Sequence, residues 1–409
     1  MRILYIVPFV PWPVRVRSFN LIPRLARHHE IHLVCTIESP QSLTRLDGLG
    51  AICRSVRFAA HSSLRGMLQC MVALPTPKPL RLAYCRSPRM SAIVKRAVDE
   101  VAPDVIYVER WRALQYVPAG LRIPVVCDPT DSMILYNRRL ATMGAWWERL
   151  IGLEEYVKFL RAEPRLAARV DATIFCSRVD MDCVLRRDSR ARCEIVPNGV
   201  DCQKFFLKQS SEIDPHTIVF TGSFDYRPNR QAVRYFLRDI FPSVRKSFPS
   251  ARFHAVGNAA DKHLRRFRQP GFEATDFVAD LRNELAKATV AIAPMTVGSG
   301  VSNKLLEAFA TGTPVVATSI ACGDLPVRDG EHLLVANDPR QFADAIIALM
   351  GGTELRGRLT VAARRLVVEG YDWEIVYQRM ERVLLSVADL KSPGSTADRG
   401  VRIPAVAGL

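Results

Sequence analysis

Apolar residues fall along this chain in short runs, each followed by a stretch with helical spacing. Ile3–Pro8 is a continuous apolar run, and Ser18–His28 then sets Phe19, Ile22, Leu25 and Ala26 on one helix face. Ile31–Thr36, Asp104–Val108, Pro124–Cys127 and Ala172–Cys176 repeat the strand-like pattern, and Met90–Val101 repeats the helical one. Strands that are apolar at nearly every position and alternate with helices imply a parallel sheet covered on both faces. Gly144–Arg169 is a long helical stretch. Its stripe of Trp146, Trp147, Leu150, Leu153, Tyr156, Val157 and Leu160 reads as core.

The pattern breaks at VPNGVD (196–201), a Pro-Asn-Gly turn, and the polar run KFFLKQSSEIDPH follows. Alternation restarts with strands predicted at Thr217–Thr221, Arg252–Gly257, Val290–Ala293 and Pro314–Thr318. Helices are predicted at Asn229–Leu237, Asp280–Ala286, Ser302–Ala310, 339–350, 354–368 and 373–389. The fold class is therefore α/β: two doubly wound, Rossmann-like domains in series, facing across a cleft. In such sheets ligands sit outside the carboxyl ends of the strands. Residues 391–409 are polar, contain Gly and Pro, and are expected to be a disordered tail.

Length agrees with two domains, since 409 residues exceed what one core organises. No apolar run approaches the roughly 18 residues of a membrane span. The first strand, Ile3–Val7, is read as core and not as a signal peptide. The ten cysteines include no C-x-x-C pair and none at a metal-like distance from a histidine, so reduced thiols are expected. Net charge is +16, and the excess lies early: 30 basic against 18 acidic residues in 1–200, and 27 against 23 afterwards. Such a surface attracts an anionic membrane face or a phosphorylated acceptor, or serves solubility alone. Nucleic acid has only net charge behind it and is not expected as a partner.

The segment GSGVSNKLLEAFATGTPVVATS (298–319) is the richest in chemistry. Gly298–Gly300 offers free backbone N–H groups, Ser302 suits an N-cap, and Gly312 and Pro314 suit the helix end. Lys304 and Glu307 share one face while Leu305, Leu306 and Phe309 point inward. A loop, a helix start and a lysine can hold a diphosphate, and a carboxylate one turn on can accept from ribose hydroxyls. The alternative is a surface ion pair worth about 0.3 kcal/mol.

NKLLEAFATGTPVVATS resembles the nucleotide-binding signature of retaining GT-B glycosyltransferases of the group 1 (family 4) type. VRDGEHLLVANDPRQFADAIIALM, GYDWEIVYQRM, IVFTGSFDYRPNRQAVRYF and VPFVPWPVRVRSFNLIPRLARHHEIHLV resemble other parts of that family, in its order, over residues 1 to about 390. The resemblance implies an acceptor-binding domain at 1–198 and a nucleotide-sugar domain at 199–372, with helix 373–390 packing back on the first. It implies that Glu307 holds the ribose and that Lys304 lies beside the diphosphate. Gly222 and Ser223 would lie under the phosphates, Arg227 and Arg230 would be phosphate cations, and Phe277 and Val278 would pack near the base. Gly300, Ser302 and Asn303 complete the donor side. Ser299 stands where the first acid of the family's paired motif would contact the donor sugar, which leaves the loop backbone or Ser302 to substitute.

On the acceptor side the loop after the first strand reads PWPVRVR where the family often has glycines. Arg15 and Arg17 would then contact an anionic acceptor such as a lipid-linked phosphate. Asp128 and Asp131 in VVCDPTDS are the catalytic candidates beside the acceptor hydroxyl, or Asx caps of a turn. Glu109, Arg110 and Arg112 are further cleft candidates. His28, His29 and His254 are read as structural.

The expected activity is metal-independent, retaining transfer of a sugar from a nucleotide diphosphate sugar to a saccharide or lipid-linked acceptor, in cell-surface or exopolysaccharide synthesis. No cofactor is expected, and the location would be cytoplasmic or at the inner membrane face, with peripheral contact to anionic lipid. A nucleotide-sugar epimerase and a non-catalytic sugar-nucleotide-binding subunit are the other readings. A dehydrogenase is disfavoured because the turn at Pro8–Ser18 has no glycine.

Overall fold

The computed structural model describes residues 1–37, 43–143, 146–205, 214–276, 278, 280–296 and 302–389. Ser299, Gly300, Phe277, the last residue of the expected 373–390 helix and the 391–409 tail lie outside the described residues. Among the described residues the chain forms two parallel sheets. The first holds seven strands: β1 (Arg2–Val7), β2 (Glu30–Ile37), β3 (Ser55–Ala60), β4 (Val105–Glu109), β5 (Val125–Thr130), β6 (Ala172–Phe175) and β7 (Cys193–Ile195), in the order β3-β2-β1-β4-β5-β6-β7. The second holds six: β8 (Thr217–Thr221), β9 (Arg252–Val256), β10 (Phe272–Thr275), β11 (Val290–Ala293), β12 (Val315–Ala317) and β13 (Leu334–Val335), in the order β10-β9-β8-β11-β12-β13.

The unbroken apolar run of β1 has a direct cause. Ile3, Tyr5 and Val7 pack against helix Val16–Leu25 and against Trp373, Val376, Tyr377 and Met380. Leu4 and Ile6 face the other way, onto Met90, Val94 and Ala97 of helix Pro88–Val101. Both faces are covered from Ile3 to Val7, so every position there favours an apolar side chain. The covering helix Trp373–Asp389 follows the second sheet in sequence yet belongs to the core of the first.

The chain crosses between domains twice at one place. Val200 pairs with Asp372, and a Cβ on Gly199 would stand 2.9 Å from the Tyr371 carbonyl and 3.0 Å from the Trp373 ring. The Pro-Asn-Gly turn thus needs glycine for close approach. Further ties join the halves: Arg24 to Asp201 (3.5 Å) and Glu374 (3.6 Å), Val179 N–H to Asp324 (3.1 Å), and Arg227 to Glu148.

One expectation fails. Tyr156 and Leu160 pack against the core, but the rest of the aromatic stripe on helix Trp146–Ala167 is not buried. Trp146, Trp147, Leu150, Leu153 and Val157 are exposed, while Gly152, Glu155, Phe159, Glu163 and Ala167 face inward. Two buried carboxylates set that rotation. Glu163 accepts from Trp111 Nε1 (2.8 Å), Ser132 Oγ (2.9 Å) and the Met133 and Ile134 amides (2.9 and 3.0 Å), and so caps helix Met133–Met143. Glu155 accepts from the Leu80 and Arg81 amides. Burying a carboxylate with its hydrogen bonds satisfied outweighed the stripe. No disulfide forms among the described residues.

Candidate active site

A cleft is built at the carboxyl ends of β8 and β9. Gly222, at φ +152°, ends β8, and Gly257, at φ +141°, ends β9. The two loops touch: a Cβ on Gly257 would lie 2.2 Å from the Gly222 carbonyl oxygen. A side chain on Gly222 would run into Asn229 Nδ2 at 2.7 Å. Asn229 in turn donates to the Ser223 carbonyl (2.8 Å) and so holds the turn that forms the floor.

Helix Asn303–Thr311 forms the wall. Ser302 is extended at its N-cap, and Gly312 at φ +72° closes it in the left-handed conformation. Leu305, Leu306, Ala308 and Phe309 anchor the helix in the second core. Ser302, Asn303, Lys304 and Glu307 are left facing a cleft of about 430 Å³, shared with Gly222, Ser223, Asn258, Val278 and Ile320. Val14 and Val16 close it from the first domain.

Lys304 Nζ donates to Asn229 Oδ1 (3.3 Å) and lies 5.3 Å from the Phe220 ring centroid. Glu307 follows one turn later and has no hydrogen bond to its carboxylate among the described residues. Both side chains reach the cleft surface, but protein surrounds most of each. Burial raises the Glu307 carboxyl to about 7, with Lys304 pulling the other way; burial lowers the Lys304 ammonium to about 8, with Glu307 pulling it back. Asn303 Oδ1 is buried and has no hydrogen-bond partner there. The wall therefore carries a cation with donors to spare, and a carboxylate and an amide oxygen whose bonding capacity the described residues leave open. That set suits a ligand with anionic oxygens at one end and hydroxyls at the other.

The remaining predicted residues stand elsewhere. Arg227 is held by Glu148, and Arg230 donates to the Phe224 and Asp225 carbonyls, so neither lines the cleft. Arg15 lies over the Phe9 ring. Asp128 is a correction: it is fully buried and accepts from Arg17 Nε, Tyr107 Oη and the Thr130 amide (3.0 Å). So enclosed, it has no face open to a ligand in this structure. Arg17 is corrected with it, since its Nη1 also bonds Pro197 O (3.2 Å) and Asn198 Oδ1 (3.3 Å) in the interdomain turn. Glu109 is buried, accepts from Tyr5 Oη (3.3 Å), and is raised to about 7 by burial. Asp131 is half-exposed just beyond the carboxyl end of β5, 3.5 Å from Arg110. Arg112 is half-buried, with its Nε enclosed. His254, bonded to Thr275 (2.8 Å) and Glu284 (3.1 Å), is structural.

Gly257, Asn258, Asn229 and Tyr226 belong to the cleft and were not singled out from sequence. The signal for Gly257 was available, because a glycine closes the predicted strand in HAVGN.

Two family models match. "Glycosyl transferases group 1" covers residues 215–351 and "Glycosyl transferase 4-like domain" covers 14–199. A phosphatidyl-myo-inositol mannosyltransferase of Mycobacterium leprae is 32% identical over 333 residues, 77% of this chain and 82% of that one. The like-named protein of Mycobacterium tuberculosis is 32% identical over 213 residues, 47% of this chain and 54% of its own length. Among solved structures, Anabaena Alr3699/HepE in complex with UDP and glucose superposes with TM-score 0.67 at 16% identity, covering 94% of this chain and 100% of that one. WaaG, a glycosyltransferase involved in lipopolysaccharide biosynthesis, does so with TM-score 0.63 at 15% identity, covering 96% and 100%. These likenesses identify the two-sheet arrangement as the GT-B architecture.

Proposed function

The chain belongs to the group 1 glycosyltransferases, and on that premise we propose that it is a retaining enzyme that moves a sugar from a nucleoside diphosphate sugar to a lipid-linked acceptor. The epimerase and non-catalytic readings are set aside on that membership. The observation that carries the donor is the pairing of Lys304 with Glu307 over the Gly222–Gly257 floor. Lys304 and the amides of the floor meet the diphosphate, and Glu307 accepts from the ribose hydroxyls. Alr3699/HepE, similar in fold, holds UDP and glucose in its crystal structure, which supports a nucleotide donor. The mannosyltransferase relatives, named for phosphatidyl-myo-inositol, favour a glycolipid acceptor at a membrane face over an exopolysaccharide chain.

In the reaction, the bond from the sugar's anomeric carbon to the phosphate oxygen breaks, and the acceptor oxygen bonds that carbon from the same face. The acceptor's proton passes to the departing phosphate oxygen, so no separate base is required. Lys304 stabilises the charge that develops on the leaving group. Val14 and Val16, across the cleft, help to exclude water. Metal independence is part of the proposal: activity should persist in EDTA.

The test is thermal shift of wild type and Glu307→Ala with UDP-, GDP- and ADP-sugars. One donor should stabilise the wild type. Losing hydrogen bonds to a charged group costs about 1.5–3 kcal/mol, so Glu307→Ala should bind that donor roughly tenfold or more weakly. If no donor stabilises the wild type, the donor reading is wrong. If the alanine variant binds equally well, Glu307 does not hold the ribose.

A further inference from the structure

Among the described residues that line the cleft, Lys304 and Glu307 alone are charged, and their charges cancel when both are ionised. A nucleoside diphosphate sugar carries a negative charge on each phosphate, so a cation beyond Lys304 would favour it. Arg227 is placed to supply one. Its neighbour in sequence, Tyr226, lines the cleft, and so does Asn229 in the first turn of the same helix, Arg227–Tyr235. Lys304 Nζ bonds that Asn229 at 3.3 Å. The Arg227 guanidinium is instead bonded to Glu148 of the first domain. Arg230 is committed to the turn, through the Phe224 and Asp225 carbonyls.

Glu148 cannot follow Arg227 into the cleft. It lies in the first turn of helix Trp146–Ala167, and that helix is fixed along its length. A Cβ on Gly152, one turn beyond Glu148, would stand 2.6 Å from the Ala141 amide nitrogen, so the helix backbone is in contact with helix Met133–Met143. Glu155 and Glu163 bond backbone amides further along. A ligand that recruits Arg227 must therefore break the pair.

Other contacts join the domains without this pair. The Val200 backbone bonds Tyr371 and Trp373, Arg24 reaches Asp201 (3.5 Å), and the Val179 amide reaches Asp324 (3.1 Å). The Arg227 and Glu148 side chains are 35% and 23% exposed, and an ion pair so open to water is weakly held. Two phosphates offer the guanidinium more negative charge and bidentate hydrogen bonds, so the exchange favours the ligand.

We propose that the Glu148–Arg227 pair is an autoinhibitory contact: Glu148 withholds a diphosphate cation from the cleft, and the donor binds by drawing Arg227 off it. The proposal rests on the donor reading above for its ligand. It gives Glu148 an effect opposite in sign to that of a closure contact, since removing its charge tightens binding.

Titration calorimetry with UDP, GDP and ADP is run on the full chain and on four variants: Glu148→Gln, Arg227→Gln, both together, and the charge swap Glu148→Arg with Arg227→Glu. Circular dichroism checks folding, and small-angle X-ray scattering reads the spacing of the domains. Glu148→Gln should bind the preferred nucleoside diphosphate about two- to fivefold more tightly, the range set by an ion pair of this exposure. Arg227→Gln should bind it roughly tenfold more weakly, and Glu148→Gln should add nothing in that background. The charge swap should keep the scattering profile of wild type yet bind as weakly as Arg227→Gln. Unchanged or weaker binding by Glu148→Gln overturns the proposal. Tightening that persists without Arg227 also overturns it, because Glu148 would then act by direct repulsion of the ligand. So does a charge swap with wild-type affinity, which would make the pair an interdomain tie alone. If no nucleoside diphosphate binds wild type, the donor reading fails and the role of this contact fails with it. Binding by wild type with no gain in Glu148→Gln removes the role of the contact and leaves the donor reading in place.

Discussion

Replacing Asp128 with asparagine separates a structural carboxylate from a catalytic one. The shape is kept and the charge removed. Asp128 is fully buried, and Arg17, opposite it, is 3% exposed. In the variant the guanidinium stays buried without a counter-charge, its Nη1 on the Pro197 and Asn198 oxygens and Cys176 Sγ, while its Nη2 already has no partner among the described residues. Breaking a buried pair by removing one charge costs about 3–5 kcal/mol, and the asparagine oxygen can still accept from Arg17, so the lower end, about 3 kcal/mol, is expected. For a domain of this size each kcal/mol moves Tm by about 2–4 °C, which gives a fall of about 6–12 °C. The assay is a calorimetric or fluorimetric melt together with kcat measured well below the melt. Turnover should change by less than roughly tenfold, because the lost group touches no reacting atom. A double replacement, Arg17→Met with Asp128→Leu, should recover much of the lost stability. An unchanged Tm with a loss of about 10²–10⁴ in kcat would make Asp128 a proton-transfer group and refute the reasoning.

Nucleotide-donor affinity should follow a bell against pH. Glu307 must be ionised to accept from ribose, and burial holds it at about 7; Lys304 must be protonated to meet phosphate, and burial lowers it to about 8. Affinity therefore rises as pH climbs through 7, falls as it passes 8, and is roughly tenfold weaker one unit outside that window. Titration calorimetry reads this, and Glu307→Gln should abolish the acidic limb; a monotonic profile would remove both assignments. Gly257→Ala places a Cβ 2.2 Å from the Gly222 oxygen at a left-handed φ. It should cost at least about 1–3 kcal/mol of stability and weaken donor binding, and an unchanged melt with unchanged donor shift would show that the floor does not need glycine there.

Much of this molecule was legible before any coordinates. The continuous apolar runs could only be strands covered on both sides, and their alternation with helices selects parallel, doubly wound sheets. The 302–312 helix carried its own cap, stop and inward face, so Lys304 and Glu307 were placed on the outer face by spacing alone. These are local properties, decided by which residues lie three, four or two positions apart.

Tertiary structure decided what local spacing cannot express. Asp128 was expected after a strand, as a cleft residue would be, but it lies within β5, where its neighbour Thr130 donates to it in the Asx fashion and Arg17 and Tyr107 converge on it from two distant points in the chain and enclose it. The stripe on Trp146–Ala167 has the periodicity of a core face, yet Glu155 and Glu163 find buried donors, and their side of the helix turns inward instead. A periodic pattern says that two faces differ. Which face is buried depends on the partners the rest of the fold brings up, and a buried charge with its hydrogen bonds made competes with apolar area on equal terms.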